Sequence, residues 1–151
     1  MDFKALSRND QIVLGAGLVV FIASFFPWYG TNVAFINVNI NAWHSYSTFA
    51  LLLVFIGVGV TAAAVFAKES LTSLPVGPRV LAAGLLALGT LLEVLRLITL
   101  HHGDGVGLKW GAYILVIAMV VATVFAVLSM RESGESIPGI GGGSAPTPPA
   151  A

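Results

Sequence analysis

Two charged residues interrupt a long apolar stretch of this 151-residue sequence. Glu93 and Arg96 lie within residues 80–100, a segment otherwise made of apolar and small residues. The i, i+3 spacing places both side chains on one face of a helix, where they can pair. Each charge costs about 2.5–3.5 kcal/mol at the centre of a membrane helix, so we expect this face to point into the protein interior. Leu86 and Gly89 share the face, and a small residue there favours close approach of another helix.

Two interpretations of this pair remain open. In the first, Glu93 and Arg96 form an internal ion pair that fixes helix packing, with the long Arg96 side chain extending toward the membrane surface. In the second, they form a polar site for an ion, a proton or a lipid headgroup, because charged residues inside membranes often mark functional sites. The sequence favours neither interpretation.

Aromatic and histidine residues form a second candidate site. Every Trp and Tyr lies toward the same ends of the apolar segments or in the loop after the first one. Such rings prefer the headgroup level of a bilayer, so membrane anchoring accounts for them, and a binding surface is the alternative. With their polar neighbours they define a candidate binding cluster, which comprises Trp28, Trp43, His44, His101, His102, Asp104 and Trp110.

The same residues are poor candidates for a metal site or a catalytic site. Imidazole and carboxylate suit zinc, but two adjacent histidines in one loop rarely ligate one metal well, so we predict no metal and no cofactor. Residues 103–107 are glycine-rich yet lack the Lys-Ser end of a phosphate-binding loop. The absence of cysteine excludes disulfides and thiolate chemistry. No serine–histidine–acid pattern stands out, so we do not predict an enzyme.

Composition and patterning place these residues in a membrane protein. The chain is 57% hydrophobic and 9% charged, whereas soluble domains carry roughly 25% charged residues. A membrane span needs about 20 mostly apolar residues. We therefore predict an all-α, integral-membrane, four-helix antiparallel bundle, with Asn9 and Asp10 capping its first helix. Its spans are residues 11–29, 48–67, 80–100 and 111–130.

Basic residues predict the orientation of this bundle. All but one of the basic residues outside the spans precede the first span, separate the second from the third, or follow the fourth. The positive-inside rule therefore places residues 1–10 and 131–151 in the cytoplasm. The tail is rich in Gly, Pro and Ser and is predicted to be disordered. The formal net charge of +0 favours no nucleic-acid partner.

The loops and the small residues of the spans suggest further contacts. Asparagines alternate with apolar residues in the first outer loop, which suits a short β-hairpin or an extended segment on the membrane. Small residues recur every four positions, as at Ala118, Ala122 and Ala126. That spacing supports close helix contacts within this chain, with a second copy or with other membrane proteins.

Three short motifs lie at residues 6–11 (LSRNDQ), 25–30 (FFPWYG) and 41–44 (NAWH). They resemble uncharacterised small four-span membrane proteins of actinobacteria, over about residues 5–130. The resemblance implies a bacterial inner-membrane location and supplies no activity. The leading hypothesis is thus a non-enzymatic structural or interaction component of the cell envelope. The alternative is a small transporter or ion- or proton-conducting protein that uses Glu93 and Arg96.

Overall fold

The computed structural model describes residues 4, 6–33, 35–99, 106–135 and 137. The chain is mostly helical, and a small β-sheet lies between helix ends. The predicted disordered tail lies mostly outside the described residues, so that prediction is untested. In chain order the elements are α1 (Arg8–Ala23), β1 (Tyr29–Val33), β2 (Ile36–Ile40), α2 (Ser47–Phe66), a 3-10 turn (Lys68–Leu71), α3 (Pro78–Thr99), β3 (Val106–Leu108) and α4 (Trp110–Glu132).

The four helices of the described chain pack side by side. Helix α1 lies against α4 and α2, and α3 lies against α2 and α4. Because α1 leads into β1, and β3 leads into α4, successive helices alternate in direction. We call the end beside the strands the sheet end, and the end where α1 and α3 begin the far end. Fully buried apolar side chains fill the interior between these ends, among them Val13, Val20, Val54, Leu86, Leu115 and Met119.

Three of these helices are long and apolar enough to cross a membrane: Ser47–Phe66, Pro78–Thr99 and Trp110–Glu132. The first predicted span, residues 11–29, is instead divided. Its helix ends at Ala23, and the chain enters strand β1 at Tyr29. The Ser24 hydroxyl donates to the Phe21 carbonyl at 2.6 Å, and Pro27 has no backbone N–H to continue a helix.

The start of α1 also differs from the sequence prediction. Ser7 is its N-cap, and the Ser7 hydroxyl accepts a hydrogen bond from the Asp10 backbone N–H at 3.2 Å. The prediction that Asn9 and Asp10 cap this helix is therefore wrong. Ser and Asp are both good capping residues, so the pattern did not reveal that the Asp10 side chain is needed elsewhere.

The small sheet is an addition to the predicted all-α fold. It has the order β2-β1-β3, and β1 pairs antiparallel with both neighbours. The hairpin of β1 and β2 confirms one of the two forms expected for the first outer loop. The third strand was not predicted, because a strand of three residues with a glycine at its centre gives no periodic signal. Tyr29 of β1 pairs with Ile40 and with Leu108, so the sheet joins the two inter-helix connections at this end.

Small residues allow the helices to approach closely within this chain. A Cβ added at Gly89 would lie 2.8 Å from the Ala50 carbonyl oxygen, and one at Gly57 would lie 3.1 Å from the Ala82 carbonyl oxygen. Gly57 and Gly89 therefore let α2 and α3 pack backbone to backbone. The predicted stripe on α4 is buried as well, with Ala122 fully enclosed.

Candidate functional site

Glu93 lies in the protein interior at the sheet end. Its side chain has no solvent exposure. The Ser47 hydroxyl, at the start of α2, lies 2.8 Å from both carboxylate oxygens of Glu93. A hydroxyl has only one proton to donate, so the two oxygens share one donor through a bifurcated hydrogen bond. Glu93 is thus held by a neutral partner from the adjacent helix.

Arg96, one turn further along α3, is 8% exposed and has different partners. Its Nη1 donates to the His44 backbone carbonyl at 2.7 Å. Its guanidinium carbon lies 4.5 Å from the centroid of the Trp28 ring and 5.2 Å from that of Tyr46. The ion pair of the first interpretation is not formed by these side chains, which instead contact a hydroxyl, a carbonyl and two aromatic rings. Both side chains do lie on the buried face of α3.

Two tryptophans of the candidate binding cluster connect these residues to the strands. Trp28 is fully buried, and its indole Nε1 has no hydrogen-bond acceptor in the described part of the chain. Its backbone N–H donates to Ile40, while its carbonyl accepts from Lys109. Trp43 is partly buried, and its Nε1 donates to the Ser24 hydroxyl at 3.0 Å. The sheet is therefore fixed to the helix ends through tryptophan contacts.

The remaining members of the predicted cluster are dispersed or lie outside the described residues. His44 is exposed, and its Nδ1 lies 3.1 Å from the Asn41 side-chain oxygen. Trp110 is 54% exposed and packs on Phe26 with ring centroids 4.7 Å apart. The positions of His101, His102 and Asp104 are outside the described residues. Within the described ranges, the structure contains no group of three potential metal-ligating side chains.

The hairpin presents a distinctive surface at the sheet end. Phe35, in the turn between β1 and β2, is fully exposed and has φ 74°. A left-handed backbone costs roughly 1–2 kcal/mol for a residue with a Cβ, and the turn sequence contains neither Gly nor Asn. Strand β2, with sequence INVNI, has no strand on its other side in the described part of the chain. Val38, at its centre, is 48% exposed.

A second polar cluster, which the sequence analysis did not identify, lies at the far end. The Asp10 carboxylate of α1 accepts hydrogen bonds from Nη1 and Nη2 of Arg79, in α3, at 2.6 and 3.0 Å. The Ser129 hydroxyl of α4 donates to the same carboxylate at 2.5 Å, and also accepts from Arg79. Asp10 is 1% exposed. One ion pair thus joins three helices.

The chemistry of this cluster keeps the Asp10 carboxyl ionised. Burial alone would raise the pKa of Asp10, but hydrogen bonds from Arg79 and Ser129, together with the Arg79 charge, hold that pKa below its ordinary value. Asp10 precedes the predicted first span, residues 11–29. Nearby, Glu135 accepts hydrogen bonds from the Arg79 and Val80 backbone N–H groups at 2.9 and 3.2 Å. Its carboxylate therefore caps the start of α3.

A sequence signal for this pair existed in retrospect. Asp10 begins the first apolar segment and Arg79 begins the third, so alternating helices bring them to one end of the protein. From the sequence alone, the basic residue before the third span indicates topology and Asp10 is a capping candidate. Nothing in a single sequence distinguishes such a pair from two unrelated flanking charges.

The two clusters are separated by an apolar interior. Leu86, Leu115 and Met119 lie between them and are fully buried. Midway along α3 and α4, the hydroxyl oxygens of Thr90 and Thr123 lie 2.9 Å apart, and Thr90 is only 8% exposed. This arrangement suits two anchoring points better than a continuous polar path.

In comparisons with known proteins, no family model, no curated protein and no solved structure matches the chain.

Proposed function

We propose that this chain is a four-span inner-membrane protein whose sheet end docks another component of the cell envelope. In this proposal it has no enzymatic role, and both termini lie in the cytoplasm. The observation that carries the proposal is the fixed sheet, whose uncharged edge strand β2 has a free side in the described part of the chain, together with a fully exposed Phe35.

The outer surface of the helices supports a membrane location. Large apolar side chains point away from the interior on all four described helices. Soluble proteins rarely expose contiguous apolar surface on this scale, whereas lipid covers it without cost. Examples from each helix are Leu18 and Phe21, Leu52 and Ile56, Leu91 and Ile98, and Ile117 and Val124.

Helix α1 is the shortest of the four proposed spans. Sixteen residues extend about 24 Å, less than the hydrocarbon core of about 30 Å. It nevertheless lies alongside α4 and α2, which are long enough to cross. Asp10 fixes its start at the same level as the start of α3 and the end of α4. Residues 24–28 extend the chain beyond Ala23 toward the sheet end, which supports a complete fourth crossing.

The distribution of basic residues supports an outward-facing sheet. At the far end lie Lys4, Arg8, Lys68, Arg79 and Arg131, while Lys109 and the buried Arg96 lie at the sheet end. The positive-inside rule then places the far end in the cytoplasm. The resemblance to small actinobacterial membrane proteins supports the inner membrane as the location.

The edge strand supports docking over conduction. Proteins usually protect an exposed edge with Lys, Pro or a bulge, and β2 has no charged residue and no proline. An extended segment of a partner can add to such an edge through backbone hydrogen bonds. A strained turn that holds an exposed aromatic residue is a feature expected of a contact site. A conducting role would need polar groups along the apolar interior, so it has less support.

Crosslinking in cells tests the docking proposal. A photo-reactive amino acid placed at Phe35, and separately at Val38, is expected to capture the same envelope protein. The substitution Val38→Lys should abolish capture from Phe35, because a charge on the edge strand blocks strand addition. Ser73→Lys, an exposed change at the far end, is the matched control and should leave capture intact.

A lipid-facing position separates specific capture from collision in the membrane. The same photo-reactive group at Leu91, which is 54% exposed on α3, should not yield the partner. Recovery of the lone chain from both hairpin positions would overturn the docking proposal. So would equal capture from Leu91 and Phe35.

A further inference from the structure

A groove runs along α1 beside the short arm that precedes it. Its volume is about 510 Å³, and it is lined by Lys4, Leu6, Gln11, Leu14, Gly15 and Leu18. One end carries polar groups, and the other end is apolar. A volume of this size is within the range of small-molecule sites.

The arm is held against the helix, so the groove has a defined wall. The Gln11 side-chain N–H donates to the Leu6 backbone carbonyl at 3.2 Å. Leu6 is buried, with 6% exposure. The Ser7 cap fixes the turn between arm and helix. Lys4 is therefore positioned over the first turns of α1.

A second cation, Arg8, lies one turn before Gln11 on the helix face that lines the groove. Arg8 precedes Gln11 by three residues, Gly15 by seven and Leu18 by ten, so all four share one face of α1. Arg8 is exposed. Lys4 therefore lines the polar end of the groove, Arg8 lies beside that end on the same helix face, and an apolar floor leads toward the middle of α1.

The floor of the groove is open because of a glycine. A Cβ added at Gly15 would meet no other atom within 4 Å, and Leu18 beyond it is 60% exposed. A small residue between two leucines leaves room for a chain of methylene groups along the helix. An aliphatic chain packed there would contact Leu14 and Leu18 on either side of Gly15.

We propose that this groove binds one anionic phospholipid of the inner leaflet. The phosphodiester would lie between Lys4 and Arg8, and one acyl chain would lie over Gly15. The charge complementarity of two cations with a phosphate, directly above an apolar channel, favours this occupant over a second protein helix. Basic side chains at a membrane surface attract anionic lipid.

The inference rests on the proposed topology, because the cations must lie at the cytoplasmic surface. Its test does not depend on that topology or on docking. The purified full chain, stripped of lipid in detergent, is titrated with dioleoyl-phosphatidylglycerol or with dioleoyl-phosphatidylcholine. Native mass spectrometry then counts the lipids bound per chain. We expect one phosphatidylglycerol to be retained, and phosphatidylcholine to bind much more weakly.

Variants at each end of the groove assign the binding site. The double substitution Lys4→Gln and Arg8→Gln should weaken phosphatidylglycerol binding roughly tenfold or more. Gly15→Leu should also weaken it, because the added side chain occupies the channel. Gly84→Leu is the matched control, since a Cβ there likewise meets no atom within 4 Å. That control should bind as the unmodified chain does.

Each alternative occupant gives a distinct result. Equal binding of the two lipids, or normal phosphatidylglycerol binding by Gly15→Leu, would overturn the proposal. Displacement of the lipid by glycerol 3-phosphate at equal concentration would assign the site to a free phosphate ester. A dimer that Gly15→Leu dissociates would assign the groove to a second copy. Failure of this assay would leave the crosslinking result at Phe35 unaffected.

Discussion

The two ends of the helical region hold buried charge in different ways. At the far end, Asp10 and Arg79 neutralise each other directly, with Ser129 donating to the same carboxylate. At the sheet end, Glu93 and Arg96 are buried on one face of α3 but contact neutral partners. Of these two pairs of charges, the one at the far end is therefore the one that forms a direct ion pair.

This difference suggests a division of roles between the ends. An ion pair with bidentate geometry fixes the positions of the helices that it joins. A carboxylate held by one hydroxyl, and a guanidinium held by a carbonyl and rings, can exchange partners at lower cost. The far end therefore fixes three helices to one another, and the proposed docking of a partner falls at the other end.

The largest expected effect is at the far end. Arg79→Met leaves the Asp10 carboxylate buried without its cation, and breaking a buried pair in this way costs roughly 3–5 kcal/mol. Thermal unfolding in detergent should show a large fall in the melting temperature. The double variant Asp10→Asn with Arg79→Met should recover most of that loss. A single variant as stable as the unmodified chain would contradict the structural role of the pair.

The next effect concerns Arg96. Arg96→Met removes a charge-assisted hydrogen bond to the His44 carbonyl, worth about 1.5–3 kcal/mol, together with weaker cation–π contacts to two rings. The loss in thermal stability should be smaller than for Arg79→Met, because Arg79 forms a direct ion pair with Asp10, whereas Arg96 contacts a carbonyl and two rings rather than the Glu93 carboxylate. A larger fall in melting temperature for Arg96→Met than for Arg79→Met would contradict the proposed difference between the two ends. It would mean that Glu93 depends on Arg96 as its counter-charge.

A matched pair of serine substitutions makes the same comparison at smaller scale. Ser47→Ala removes the hydroxyl that contacts both oxygens of the Glu93 carboxylate, at a cost of about 1–3 kcal/mol. Ser129→Ala should cost about 1 kcal/mol or less, because Arg79 still donates to Asp10. Melting temperatures of the two variants in one detergent give the order. Equal falls in melting temperature would mean that the Glu93 and Asp10 carboxylates depend equally on their serine partners.

The smallest effect is expected on mild acidification. The folded-state pKa of Asp10 is held below its ordinary value of 3.8, so the stability that Asp10 contributes is present above that value. This contribution is lost only as the pH falls from about 4 through the lowered pKa of the folded state. Between pH 7 and pH 5 the melting temperature should change little through Asp10. Below pH 4 the unmodified chain should lose stability that Asp10→Asn does not lose.

The sequence predicted the positions of the helices better than the side-chain contacts between them. Long apolar runs indicate spans regardless of detail, and the buried face of α3 followed from the spacing of Leu86, Gly89, Glu93 and Arg96. Periodicity does not report which residues meet across helices, so it indicates that Glu93 and Arg96 can pair but not that Glu93 meets Ser47. Strand β3 escaped prediction because its partner β1 is distant in sequence. The hairpin was recognisable since its asparagines alternate with apolar residues.

The far-end cluster shows another limit of sequence reasoning. Asp10 and Arg79 are separated by two predicted spans, and only the packing of α1, α3 and α4 brings them together. Each residue had a sufficient local explanation, as a cap or as a topology signal. A local explanation that suffices does not exclude a tertiary contact.

The most direct test of the whole account is cysteine labelling, because the chain contains no cysteine of its own. The single substitutions Lys4→Cys, Phe35→Cys, Ser73→Cys and Ile137→Cys would each be exposed to a membrane-impermeant maleimide in intact cells. We predict that Phe35→Cys is labelled in intact cells and that the other three are labelled only after permeabilisation. That result requires α1 to cross the membrane as the fourth span. Labelling of Lys4→Cys and Phe35→Cys from the same side would contradict the account.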